Sequence, residues 1–328
     1  MKRETLVLVD AYSQIFRSFY AIRRLTNARG EVVNAAFVFT KLLLQLEKKH
    51  SSEYGAMLFD CGKVSFRLEL NPEYKANRPP MPDDLRSQIP LIRKIAEAFG
   101  WQLLQCENFE ADDLIGGLSA KYKDLPVEIV SSDKDLSQLI DQRVSMLVPA
   151  SGGFEKRSEK EVVEKFGVAP AEIIDYLALI GDTSDNIPGV PGIGPKSAVE
   201  ILHTFGPAES WLNDPSLIDA EHKLAKKLLP ALDIVRKNRE LIRLRTELPE
   251  TLNQITPPLR KEPDWESIRN ICQDNQFKSI LNELPPLVIA PETENAFEEC
   301  DLFAYAATNH PNIHEAQEEA TEVQGELF

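Results

Sequence analysis

The chain has 328 residues, 43% hydrophobic and 27% charged, and reads as an ordinary soluble globular protein with material for one large or two moderate domains. No apolar run approaches a membrane span, Asp10 ends the first one too early for a signal peptide, and Cys61, Cys106, Cys272 and Cys300 form no close-spaced pair. Membrane partners, zinc and a disulfide framework are therefore not expected, and a reducing cytoplasm is. The net charge of −15 argues at first against nucleic acid, but ten acids and no Lys or Arg fall in residues 291–328, leaving only −5 for residues 1–290.

Short apolar runs that end in a carboxylate recur through the first half. Thr5–Val9 leads to Asp10, Ala56–Phe59 to Asp60, and Val127–Val130 through two serines to Asp133. Trp101–Leu104 and Val144–Val148 are two more predicted strands, and Ala35–Lys48, Asp84–Phe99 and Asp112–Tyr122 have helical spacing. Strands alternating with helices predict an α/β fold with a mostly parallel sheet covered on both faces. In such sheets ligands gather at the carboxyl ends of the strands, where these acids fall. From about Val162 the pattern turns helical: Val162–Phe166, Ala171–Leu179, Pro195–Phe205, His222–Leu244 and Trp265–Leu284. The cations between Lys223 and Arg239 read as a solvated helix face rather than a DNA track. Pro285 and Pro286 close the folded part, and the acidic residues 291–328 read as a disordered tail.

The candidate metal ligands are Asp10, Asp60, Glu110, Asp112, Asp113, Asp133, Asp135, Asp182 and Asp185. Singly, each has an ordinary reading as a helix cap or a carboxylate at the positive end of a helix. Together they would repel and raise one another's pKa unless cations filled the cluster. Hard oxygen ligands suit Mg²⁺ or Mn²⁺, and two ions roughly 4 Å apart would offset the charge and clamp an in-line phosphodiester displacement. With nine acids so engaged, the rest of residues 1–290 would carry +4, which admits DNA as a partner. The five histidines show no ligand spacing.

Two further segments bear on this chemistry. Residues 66–94 contain Arg67, Tyr74, Lys75, Arg78 and Arg86 and follow directly on Asp60, so they should overhang the acids. Lys75 and Arg78 could meet phosphates and Tyr74 could stack on a base, while Pro79, Pro80 and Pro82 break any helix there. In residues 181–202, Asp182 and Asp185 are followed by Gly189, Gly192 and Gly194, which would let the backbone approach a ligand. Pro195 then starts a helix whose free N–H groups, with Lys196, could hold a phosphate.

These residues together resemble the 5′-nuclease (flap endonuclease) family, specifically the 5′→3′ exonuclease part of bacterial DNA polymerase I, over about residues 4–286. The resemblance rests on L-V-D-A-Y-S-Q-I-F-R-S-F-Y-A (8–21), L-F-D (58–60), F-R followed by P-E-Y-K-A-N-R-P-P-M-P (66–82), F-E-A-D-D-L-I-G (109–116), S-S-D-K-D-L-S-Q-L (131–139) and residues 181–202. It implies a PIN-like, resolvase-like catalytic core over 1–165 with a helical arch at about 62–95. It also implies a helical DNA-binding region over 166–290 with a helix-hairpin-helix-like element, ahead of the tail at 291–328. The implied activity is metal-dependent removal of 5′ flaps, nicked 5′ ends and RNA primers in replication and repair, by a nucleoid-associated monomer acting on DNA or RNA–DNA hybrid.

By the same resemblance, Asp10, Asp60, Glu110 and Asp112 hold a first metal. Asp135 and Asp185 hold a second, with Asp113, Asp133 and Asp182 bridging or acting through water. Lys75 and Arg78 steer the scissile phosphate, and the glycine turn holds duplex DNA, sometimes with K⁺. Ala11 departs from a frequent glycine. No polymerase follows, which leaves a stand-alone nuclease and a piece of polymerase I as two readings. Gln324, Leu327 and Phe328 resemble a peptide that docks on the bacterial sliding clamp. The competing readings are a PIN-like ribonuclease, against which the glycine turn counts, and a non-catalytic DNA-binding module, which would lack acids that are all present here.

Overall fold

The computed structural model describes residues 2–62, 65–253 and 256–286. Its sheet contains β1 (Arg3–Asp10), β2 (Ser52–Leu58), β3 (Gln102–Leu104), β4 (Val127–Val130), β5 (Val144–Ala150) and β6 (Gly153–Arg157). Their order is β3-β2-β1-β4-β5-β6, parallel throughout except for β6, which returns antiparallel along the edge. Alternation along β1 sends Leu6 and Leu8 to one face and Val7 and Val9 to the other, and all four are fully buried. A strand apolar at every position is what a sheet covered on both sides requires.

Helices α1 (Ala11–Ala21), α2 (Asn34–His50), α3 (Ser65–Leu70), α4 (Asp83–Arg86), α5 (Ile89–Ala98) and α6 (Ala111–Lys121) occur among the first strands. Residues of α1, α2 and α5 join the core on the Val7 face, while α6 contributes Leu114, Ile115 and Leu118 to the Leu6 face. The chain moves outward from β1 to β2 and β3, then crosses back to β4 on the other side of β1. The connections therefore part between β1 and β4, and a crevice forms there at the carboxyl ends of the strands.

The second half is helical, with α7 (Glu159–Phe166), α8 (Ile173–Ile180), α9 (Pro195–Phe205), α10 (Ala208–Asn213), α11 (Ala225–Leu228), α12 (Leu232–Ile242), α13 (Glu250–Asn253), α14 (Trp265–Asp274) and α15 (Lys278–Leu281). Between α8 and α9 lies a two-residue hairpin, β7 (Gly181–Asp182) against β8 (Ile187–Pro188). Met1–Pro285 forms one compact unit.

Several predicted helices are shorter than their sequence pattern. Residues 222–244 break around the 3-10 turn Leu229–Ala231, where Pro230 lacks the N–H that would continue a helix. Residues 265–284 break after Asp274, where Gln276 takes a left-handed φ of 59°. Residues 84–99 break before α5, whose first turn carries Pro90. Helices α1 and α3, edge strand β6 and the β7–β8 hairpin are elements that the periodicity did not single out.

Candidate active site

Each element delivers an acid to the crevice. Asp10 ends β1 and caps α1, accepting from the Ser13 N–H at 3.2 Å and from the Ser131 hydroxyl at 2.8 Å. Asp60 follows β2 and accepts from the Ala111 N–H at 2.7 Å, satisfying a free donor at the start of α6. Glu110 and Asp112 sit at that helix start, and Asp133 and Asp135 follow β4. A cleft of about 480 Å³ is lined by the acids Asp10, Asp60, Asp112 and Asp133 together with the cations Lys75, Arg78, Lys134 and Lys165.

The acids fall into two neighbourhoods that share Asp133. Burial, then Asp60 and Asp133, push the Asp10 carboxyl up to about 7. Burial, then Asp10, Asp133 and Asp60, push Asp112 well above the carboxylate range, and Asp112 accepts no hydrogen bond among the described residues. In the second neighbourhood, burial and then Asp133, Asp182 and Asp185 push Asp135 well up, and its buried Oδ1 has no partner.

Glu110, Asp182 and Asp185 are instead paired with the protein's own cations. Glu110 Oε1 meets Lys75 Nζ at 2.7 Å, and Asp185 Oδ1 meets an Arg78 guanidinium nitrogen at 2.5 Å. Asp182 meets Lys134 Nζ at 2.7 Å and accepts from Ser184; burial works to raise its pKa, but these partners outweigh it and hold the carboxyl low. Burial likewise opposes the charge on Lys75, but Glu110 and Asp185 raise its ammonium above the lysine range.

The segment carrying Lys75 and Arg78 is laced to the β7–β8 turn. Lys75 N–H donates to Asp185 O at 3.0 Å, Asn77 to Thr183 O at 2.6 Å, Arg78 Nε to Ser184 O at 3.2 Å, and Asn186 to Glu73 O at 2.7 Å. Lys75 and Asn186 both take left-handed φ angles, 56° and 58°, a strained choice for non-glycine residues that the surrounding bonds hold in place. If this segment orients the substrate phosphate, Lys75→Ala or Arg78→Ala should lower kcat on the order of 10²-fold, and each should also lower the melting temperature, because Glu110 or Asp185 loses its cation. Single-turnover cleavage beside a thermal melt checks both halves of that expectation.

Three sequence expectations need correction. Asp113 does not face the cleft: it is fully buried, chelated by Arg67 at 2.7 and 2.9 Å, and accepts from the Arg245 N–H. Arg67 also reaches Glu110 at 3.1 Å. Tyr74 is only 6% exposed, so it offers no face to a base; its hydroxyl lies 3.0 Å from Asp185 and 3.2 Å from Glu110. Gly189 serves packing rather than a ligand, since a Cβ there would lie 2.2 Å from Ile180 O.

Gly192, with φ of 75°, makes the tight turn, while a Cβ on Gly194 would meet nothing within 4 Å. The start of α9 is thus open to solvent, with Lys196 exposed on its first turn. Most of the cations between 223 and 239 are taken up internally: Lys223 by Glu200, Lys227 by Gly192 O, Arg236 by Asp233 and Arg239 by Asp175. Lys134 and the two serines beside Asp10, Ser13 and Ser131, were not picked out from sequence; the lysine between Asp133 and Asp135 was the available signal.

Among the described residues no three acids are already drawn around one point as a finished metal cage. The donor set nevertheless fits a hard divalent ion. It is all oxygen, and it includes the unpartnered Asp135 Oδ1 and a mutually repelling Asp10–Asp60–Asp112–Asp133 group. This fit has a pH signature. Asp10 is raised above its ordinary value, so it contributes stability that is fully present below about pH 4 and is lost as pH rises through about 7. Metal-free protein should lose a few kcal/mol over that window. Mg²⁺ or Mn²⁺ should therefore raise the melting temperature much more at pH 8 than at pH 5.5, and equal shifts would contradict the assignment.

An acid-lined cleft at the switch point of a parallel sheet, beside a glycine-turned helical pair, fits the class of metal-dependent nucleases. The chain belongs to the 5′-3′ exonuclease family. Residues 5–167 match its N-terminal resolvase-like domain and residues 168–263 its C-terminal SAM fold. It is 36% identical to the 5′-3′ exonuclease of Aquifex aeolicus, covering 86% of this chain and 95% of that one. It is also 38% identical to the DNA polymerase I of Pseudomonas aeruginosa, over 87% of this chain but only 32% of the polymerase.

The fold resembles that of T5 5′-exonuclease solved with zinc (TM-score 0.62, 22% identity, covering 85% of this chain and 99% of that one). It also resembles the catalytic core of Rad2 in complex with DNA substrate (TM-score 0.59, 17% identity, 87% and 93% covered). Among the described residues no helix is long and apolar enough to cross a membrane. Residues 291–328, with Gln324, Leu327 and Phe328, lie outside the described residues.

Proposed function

We propose that this chain is a structure-specific 5′→3′ exonuclease and flap endonuclease. It would hydrolyse DNA, or the RNA strand of an RNA–DNA hybrid, near a duplex junction during primer removal and repair. The observation that carries this reading is the group of unneutralised carboxylates, Asp10, Asp112 and Asp135, at the crevice between β1 and β4. Asp10, Asp60, Glu110 and Asp112 would hold one Mg²⁺ or Mn²⁺, and Asp135, Asp182 and Asp185 another, with Asp133 between them. Bound there, the ions would supply an activated water and offset charge on the phosphate.

The protein's own groups do the rest. Lys75 and Arg78, strapped to the β7–β8 turn, aim the scissile phosphate at the acids. Residues 1–165 thus supply most of the chemistry, with Asp182 and Asp185 added from the second region, and residues 166–290 hold duplex DNA through Gly192, Gly194 and Lys196. The Lys227 ammonium sits 2.9 Å from Gly192 O, which supports the idea that this turn offers carbonyl oxygen to a cation such as K⁺. The direct test uses end-labelled 5′-flap, nicked and single-stranded DNA with Mg²⁺, Mn²⁺ or EDTA. Products mapped to the junction, and none in EDTA, support the reading. Cutting of single-stranded RNA without regard to junctions would favour the ribonuclease alternative.

Residues 324–328 would tether the enzyme to the sliding clamp, with Leu327 and Phe328 as apolar anchors and Gln324 at the groove rim. Deleting them should weaken clamp binding at least about tenfold, the scale of losing one anchor. Unchanged affinity in a pull-down or calorimetric titration would remove the tether.

A further inference from the structure

A second cavity lies outside the catalytic cleft. It measures about 680 Å³ and is lined by Phe66, Phe109, Arg236, Arg239, Arg243 and Arg245 among others. Two glutamates, Glu240 and Glu247, also line it, so arginines outnumber acids four to two. Arg236 and Arg239 are held by Asp233 and Asp175. Arg243 is exposed, and neither Arg243 nor Arg245 meets a carboxylate among the described residues. Arg245 instead sits over Phe66, its guanidinium carbon 3.7 Å from the ring centroid and 5.3 Å from that of Phe109.

Arg67 bridges the site and the cavity by hydrogen bonds, through Glu110 and the Arg243 carbonyl. It binds Glu110 and the buried Asp113, and its guanidinium also donates to Leu241 O and to the carbonyl of Arg243, which lines the cavity. Phe109 in the cavity adjoins Glu110 in the site, and Phe66 adjoins Arg67. A groove lined by Phe109, the sequence neighbour of the candidate ligand Glu110, that combines arginines lacking carboxylate partners with aromatic rings has the chemistry of a single-stranded nucleic-acid track. Guanidinium groups meet phosphates and their flat faces stack on bases.

We propose that this Arg243–Arg245 groove binds the unpaired 5′ strand of the substrate beyond the cut site, so that the enzyme measures flap length as well as junction geometry. This rests on the functional reading above. The test compares DNA affinity by fluorescence anisotropy in EDTA, using the full chain. One substrate is a nicked duplex, the other the same duplex with a 5′ flap of about 15 nucleotides, enough to span a single-strand site. Wild type should bind the flapped DNA more tightly. Arg243→Glu/Arg245→Glu should lose about tenfold on the flapped DNA, the scale of one lost stacking or phosphate contact, and change less than about twofold on the nick.

Because Arg245 packs on Phe66, the exposed single variant Arg243→Ala provides a second reading and should weaken flap binding alone. Equal losses on both substrates, or no loss on either, would overturn the proposal. Displacement of the flap strand's contribution by a nucleoside monophosphate at comparable affinity would also overturn it, since the groove would then be a mononucleotide site. A wild type that binds neither DNA would contradict the functional reading itself.

Discussion

Asp135→Asn is expected to abolish cleavage, lowering kcat on the order of 10³-fold or more, while leaving DNA affinity within a few-fold. The substitution keeps the volume and removes one negative charge from the point where an oxygen is buried without a partner. Because Asp135 is pushed up by burial and by Asp133, Asp182 and Asp185, neutralising it relieves repulsion in the metal-free protein. The melting temperature in EDTA should therefore stay level or rise. That combination separates a lost ligand from a misfolded enzyme. Asp185→Asn should lose activity to a similar degree but lower stability, because it also gives up ionic contacts with Arg78 and Lys75. Full activity in either variant would contradict the assignment of these acids.

Arg67→Met should destabilise folding by about 3–5 kcal/mol, the cost of leaving buried charges without their partner. Arg67 is 1% exposed and spans Asp113 and Glu110, with Leu241 and Arg243 carbonyls taking its remaining donors. Its loss would leave Asp113 fully buried with only the Arg245 N–H. Denaturant melts check the magnitude. The paired variant Arg67→Met/Asp113→Leu should recover most of the loss, because both ends of the pair are then apolar. If the single variant lost less than about 1 kcal/mol, Arg67 would not be the buttress described here.

The strand-end acids were legible because the chain announces them locally. Asp10 and Asp60 each close an apolar run, and a parallel sheet sends such ends to one edge. Asp113 was misplaced for a reason the helix itself contains. Neighbours on a helix point about 100° apart, so when Asp112 faces the cleft, Asp113 faces away, here toward Arg67. Tyr74 was misjudged because its burial depends on Asp185, which lies far along the chain. The Lys134–Asp182 pair depends in the same way on where the β7–β8 hairpin docks, and no local pattern encodes that. Pro230, by contrast, was visible as a helix breaker within residues 222–244 and should have divided that segment.

Every role assigned to these carboxylates requires that the crevice between β1 and β4 bind divalent metal. Anomalous diffraction from crystals soaked in Mn²⁺ addresses this without relying on turnover. The expected map has two strong peaks in the cleft, one among Asp10, Asp60 and Asp112, and one beside Asp135 and Asp182, with Asp133 between them. The second peak should vanish in Asp135→Asn. A cleft with no manganese peak, or peaks that ignore these carboxylates, would contradict the account.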